Sequence, residues 1–145
     1  MRRIRCWAGN KGKRTVMNLQ MRRIIAIAVA GVWINASEFF RNQVLLTNAW
    51  VQHFQSLGMT FPAAPVNALV WVVWGFIFAA MLYIISRRFS LIETILLGWV
   101  MSFLMMWLVT WNLNVLPLSI LVFAIPLSLL ECFVGAYICY KMAPR

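Results

Sequence analysis

The sequence predicts an all-α, polytopic membrane protein with four transmembrane helices and one interfacial amphipathic helix between the first and second. Three observations carry that prediction. Of 145 residues, 63% are apolar and only 11% charged, too little polar surface to cover the apolar bulk of a water-soluble domain. Apolar runs of membrane-crossing length recur between short basic or polar breaks. The net charge of +10 is distributed as in a membrane protein: Arg2, Arg3, Arg5, Lys11, Lys13, Arg14, Arg22 and Arg23 precede the first run, and the other basic residues flank later ones. No nucleic-acid partner is expected from such a pattern.

Residues 1–23 are polar and basic without hydrophobic periodicity and are expected to form a disordered cytoplasmic tail, with Met17 and Met21 as alternative starts. Residues 24–145 are expected to form one four-helix transmembrane domain. Arg22 and Arg23 before an apolar stretch resemble the start of a secretory signal. Ile34, however, stands where a cut after Ala36 needs a small residue.

The first span is expected at about residues 24–40, just long enough to cross about 30 Å of hydrocarbon. Ala28, Gly31, Asn35, Glu38 and Asn42 fall on one line at spacings of three and four, so this face should point into a bundle. About residues 43–57 repeat a helical pattern too polar to span, with Leu46, Trp50, Phe54 and Leu57 on one face, which predicts a helix lying at headgroup depth. Gly58, Pro62 and Pro65 then turn the chain.

The second span covers about residues 66–86, with Gly75 and Ala79 as a small pair for close packing. Arg87 and Arg88 close it, and Ser90 with Glu93 has the spacing of a capping box opening the third span at about 90–111. The fourth covers about 117–140. Pro117 suits its first turn, Pro126 interrupts its ladder, and Ala124, Ser128, Glu131 and Gly135 lie along one line. No internal repeat relates the halves.

Twelve basic residues on the tails and the second connection face one, Arg41, on the other side, which predicts both termini cytoplasmic in a multi-pass protein of the cytoplasmic (inner) membrane. Trp50, Trp71, Trp107 and Trp111 then collect toward the outer boundary and Tyr83, Tyr137 and Tyr140 toward the inner.

Depth along antiparallel helices places Glu38 roughly 9 Å below the outer boundary and Glu131 roughly 12 Å above the inner one. Glu131 then lies level with Gly31 and Asn35, and Glu38 with Ala124, so the first and fourth helices should pack directly with both acids inside. Two readings of these acids stand side by side: a proton or cation relay, or neutral groups hydrogen-bonded to Asn35, Ser102 or Ser128 that fix helix register. At the outer face, Arg41, His53, Asn67, Thr110, Asn112 and Asn114 share a depth with Glu38. His53 and Glu38 there suggest an acid and base pair. The alternative makes His53 an interfacial amphipath and Arg41 a snorkelling anchor paired with Glu38.

One histidine, no Cys-x-x-Cys pair and scattered acids predict no metal site and no cofactor. Cys132 and Cys139 lie two turns apart on one helix, too far for a disulfide within it. Met101, Met105 and Met106 read as packing rather than copper ligands. Asn35-Ala36-Ser37 is a glycosylation triplet inside a span.

A Trp-containing first helix (Gly31-Val32-Trp33), an aromatic segment from Trp50 to Phe61 and three further helices resemble the small four-helix bacterial integral membrane proteins of unknown function, a likeness of layout that implies no activity. An acid in the first of four helices is also similar to the small multidrug resistance transporters. The chain departs from those in its long first connection and second deep acid. The function expected is a small transporter-like protein carrying Glu38 and Glu131, with no enzymatic activity. The first alternative is a non-catalytic subunit of a larger membrane complex, and the second a membrane enzyme with a Glu38/His53 site. The expected partners are the lipid bilayer and either a second copy or a larger complex.

Overall fold

The computed structural model describes residues 3–142, with side chains from residue 18 onward. It is 86% helix, and no strand occurs among the described residues. In order, the elements are α1 (Arg3–Phe39), a π-helical turn (Phe40–Leu45), α2 (Thr47–Ser56), α3 (Pro65–Ser86), α4 (Leu91–Trp99), a second π-helical turn (Val100–Leu104), α5 (Met105–Asn112), a single 3-10 turn (Leu118–Ile120) and α6 (Leu121–Met142). Among the described residues, four segments are long and apolar enough to cross a membrane: Asn18–Leu45, Pro65–Ser86, Leu91–Asn112 and Leu118–Met142.

Local chemistry explains most boundaries. Pro65 occupies the first helical position of α3 after an extended Ala64, where its missing N–H has no intrahelical role. Gly58 turns the chain after α2 with φ +72°, a conformation open to glycine without steric cost. At the start of α4, Ser90 Oγ accepts from Glu93 N at 3.3 Å and Glu93 Oε2 accepts from Ser90 N at 2.8 Å, the reciprocal capping box that the spacing predicts.

Three boundaries differ from the sequence reading. The backbone of α1 is helical from Arg3, through the segment expected to lack regular structure; that stretch contains no proline, and its lysines and arginines are good helix formers. The first span does not stop at Phe40, because the π turn carries it on to Leu45. Pro117 is extended, at φ −72° and ψ 106°, so the last span opens with the 3-10 turn and α6 begins only at Leu121.

α1 packs against α3 and α6, α4 packs against both α3 and α6, and α3 meets α6, which gives a bundle with α1 and α4 on opposite sides. Close approach is set by small residues. A Cβ on Gly75 of α3 would sit 2.5 Å from Asn35 Nδ2 of α1, and one on Gly98 of α4 would sit 2.4 Å from Leu82 Cδ2 of α3. Phe103 is the aromatic hub. Its ring centroid lies 5.9 Å from Trp74, 5.8 Å from Phe78 and 5.9 Å from Trp107.

The distribution of polarity is the reverse of a water-soluble domain. Ile84, Ile92, Val122, Leu69 and Val32 stand on the surface, while Glu38, Arg41, Ser86, Thr94, Ser128 and Glu131 are buried.

Candidate functional site

Where α1 meets α6, two carboxylates share one guanidinium. Arg41 is 3% exposed, Glu131 0% and Glu38 7%. Glu38 and Arg41 stand three residues apart on the same helix, so Arg41 Nη2 folds back and donates to Glu38 Oε1. Its Nη1 reaches across the interface and donates to Glu131 Oε2 at 3.1 Å. The guanidinium carbon lies 4.9 Å from the centroid of the Phe103 ring, so an aromatic face from the second π turn closes the site from the α4–α5 side.

The remaining acceptors are unequally served. Asn42 Nδ2 donates to Glu38 Oε2 at 2.7 Å, so both Glu38 oxygens have donors. Ser37 Oγ donates to Glu131 Oε2 at 3.0 Å, beside the arginine. Glu131 Oε1 is buried and has no hydrogen-bond partner among the described residues. An oxygen buried in that condition is costly if it carries negative charge. Trp33 Nε1 donates to the backbone oxygen of Glu131 at 3.2 Å, which pins the two helices at this level.

The antiparallel packing of α1 on α6 with both acids inside follows the sequence reading, and so does the backbone level of Glu131. The face of α1 differs. Ile34, Ser37, Glu38 and Arg41 turn toward α6, with Ile34 Cδ1 lying 3.6 Å from where a Cβ on Gly135 would be. Gly31 and Asn35 turn toward α3 instead. Asn35 Nδ2 donates to Gly31 O at 2.8 Å and Val72 O at 3.4 Å, and a Cβ on Gly31 would meet Phe76. Asn35 therefore does not serve Glu131. Ala28 is exposed.

Arg41 requires the largest correction. The sequence reading of a snorkelling anchor at the outer face gives way to a buried residue bound to both acids, because a carboxylate lies within reach on each side and the widened turn Phe40–Leu45 keeps the side chain inward. Its pairing with Glu38 stands. The acid and base pair of His53 with Glu38 does not form. His53 Nε2 lies 3.2 Å from Asn114 O, while Glu38 is taken by Arg41 and Asn42. Trp50 is half-buried and donates from Nε1 to Asn42 Oδ1 at 3.2 Å.

Of the other candidates, Ser128 is buried, donates to Ile125 O at 2.9 Å and accepts from Trp99 Nε1 at 2.8 Å, which ties α4 to α6. Ser102 and Thr110 line an open groove of about 410 Å³ between α3 and α4–α5, together with Trp74, Met101, Met105 and Met106. Thr110 Oγ1 is already bonded to Met106 O at 2.9 Å. Asn67 is half-buried near the start of α3, and Asn112 is exposed. Thus the outer grouping resolves into His53 with Asn114 and a separate inward set.

Sequence reasoning missed Ser37, Trp33 and Phe103. Ser37 had a signal, since it precedes Arg41 by four residues and so shares its helix face. Phe103 had none. No known protein family matches the chain, and neither a curated protein nor a solved structure matches it.

Proposed function

We propose that this chain is a multi-pass protein of the cytoplasmic (inner) membrane with both termini cytoplasmic and α2 at the outer boundary, and that it acts as a small transporter-like protein. In this reading the Arg41 site holds one exchangeable proton. The reading is supported first by charge. Two carboxylates and one guanidinium carry a net charge of −1, and one added proton makes the site neutral, the condition a desolvated cluster favours. The single observation that carries it is Glu131 Oε1, the one carboxylate oxygen of the pair without a donor.

Loss of that proton leaves a negative site in a low-dielectric interior, which favours recapture of a proton or neutralisation by a cationic solute. Alternation between the two states is the elementary step of proton-coupled movement. Arg41 holds the acids in place and keeps the deprotonated state at a single net charge.

The test is gradient dissipation in proteoliposomes carrying an internal pH dye, with Na⁺, K⁺ or tetraethylammonium as the countersolute. Wild-type protein is expected to dissipate an imposed gradient with at least one of them, and Glu38→Gln or Glu131→Gln to abolish this while the protein still folds. Flux unchanged in both variants sinks the proposal. Protein-independent leakage alone, with crosslinking in membranes to one larger partner, supports the accessory-subunit reading instead.

A further inference from the structure

The proton-carrying reading leaves open which of the two acids holds the proton, and a helix outside the core bears on that choice. α2 has no buried residue, follows the π turn Phe40–Leu45 and is released after Ser56 by the Gly58 turn. Ala49 and Trp50 pack against the edge of the apolar core, Phe54 meets Phe61 edge to face, and three side-chain polar contacts join α2 to the chain around it. Thr47 Oγ1 donates to Asn42 O at 2.9 Å, Trp50 Nε1 donates to Asn42 Oδ1 at 3.2 Å, and His53 Nε2 lies 3.2 Å from Asn114 O.

The Trp50 contact has a directional consequence. An indole N–H only donates, so the Asn42 amide must turn its oxygen toward Trp50 and its nitrogen toward Glu38. That orientation delivers the donor found 2.7 Å from Glu38 Oε2. With Arg41 on the other oxygen, Glu38 then has every reason to remain the anion, and the proton is left to Glu131. Without the Trp50 bond, only the 3.2 Å bond from Asn42 Nδ2 to the Glu38 backbone oxygen still favours that orientation, and an amide that rotates presents its oxygen to Glu38 Oε2 and favours the protonated acid there.

We propose that α2 is a movable cap and that Trp50 and Asn42 are positioning residues through which its docking decides which carboxyl of the Arg41 site carries the proton. This rests on the proton-carrying reading above. Displacement of α2 transfers the proton from Glu131 toward Glu38, the acid nearer the α2 end of the bundle. Groups facing the two acids from the other elements are Ser37 on α1, Phe103 on the second π turn and Cys132 beside Glu131 on α6, and none of them is bonded to α2 among the described contacts.

The acidic residues are only three, Glu38, Glu93 and Glu131. Full-length protein in lipid bilayers, with glutamate labelled by ¹³C at Cδ, therefore gives three side-chain carboxyl resonances, each assigned through its Gln variant. In wild-type protein Glu131 is expected at the acid position and Glu38 at the carboxylate position. Trp50→Phe, which removes one N–H and keeps a ring, should move both resonances toward each other, and Asn42→Ser should do the same. An unmoved Glu93 resonance shows that the fold is intact. A wild-type spectrum with Glu38 and Glu131 both ionised overturns the proton-carrying reading and this inference with it. A proton on Glu131 that neither variant moves overturns the coupling alone.

Discussion

Arg41 and Arg87 occupy similar settings and do different work. Each guanidinium lies over an aromatic ring, Phe103 at 4.9 Å and Tyr83 at 5.0 Å, and each crosses to α6. Arg41 ends on the Glu131 carboxylate, whereas Arg87 Nη2 donates to the backbone oxygen of Cys139 at 3.1 Å and to Ser86 Oγ at 3.3 Å. Arg87 is half-buried at one end of the bundle, and the exposed Glu93 serves its own helix start. Depth decides the difference. Near the surface a guanidinium completes a helix end and water shares its charge, while in the interior it must be balanced by acids, and a second acid brings an imbalance that a proton can correct.

The comparison can be broken experimentally. The largest effect is expected for Arg41→Met, which leaves the buried Glu38 carboxylate without a counter-ion and Glu131 without its arginine donor, and should cost roughly 3–5 kcal/mol in detergent-mediated unfolding. Adding Glu38→Gln should recover part of that loss, because the residues share one network. Next, Arg87→Met removes the guanidinium bonds to Cys139 O and Ser86 Oγ from a half-buried position, and about 1–2 kcal/mol is expected in the same measurement.

With the proposed proton on Glu131, Glu131→Gln should change stability by less than about 1 kcal/mol, since a neutral amide would then replace a neutral acid of the same shape. A loss as large as that of Arg41→Met would show that Glu131 is ionised and would remove the contrast. The smallest effect belongs to Glu93→Gln, where an amide keeps the acceptor for Ser90 N; its melting temperature should shift less than that of Arg87→Met.

The same contrast separates what was legible in the sequence from what was not. The capping box at Ser90 and Glu93 is a local pattern with one geometric solution, and it reads directly from the spacing. Four long apolar helices follow from composition, and the meeting of α1 with α6 follows from depths along antiparallel axes. The face of α1 did not follow. Small and polar residues mark two faces at once, one for Gly75 of α3 and one for Glu131, and a line drawn through Gly31, Asn35 and Glu38 joins residues that serve different neighbours.

Arg41 was misread because a rule for basic residues near a boundary looks at position along the helix and not at side-chain length. An arginine a turn from the boundary reaches inward as easily as outward, and the deciding term is a carboxylate 90 residues away in sequence. Neither π turn leaves a mark that propensity detects, yet one positions Arg41 and the other Phe103. The pairing of His53 with Asn114 O depends on a loop residue at φ +59°, beyond reach of periodicity.

The span of sequence between Arg41 and Glu131 also has a consequence for the order of synthesis. Glu38 and Arg41 lie three residues apart, so the first helix carries its own ion pair from the moment it forms. Glu131 has no basic neighbour within two turns on α6, its nearest being Lys141. α6, which follows far later in the sequence, therefore brings a second acid to an arginine whose charge Glu38 already balances. Until α6 docks, Nη1 of that arginine lacks the acceptor that Glu131 Oε2 supplies.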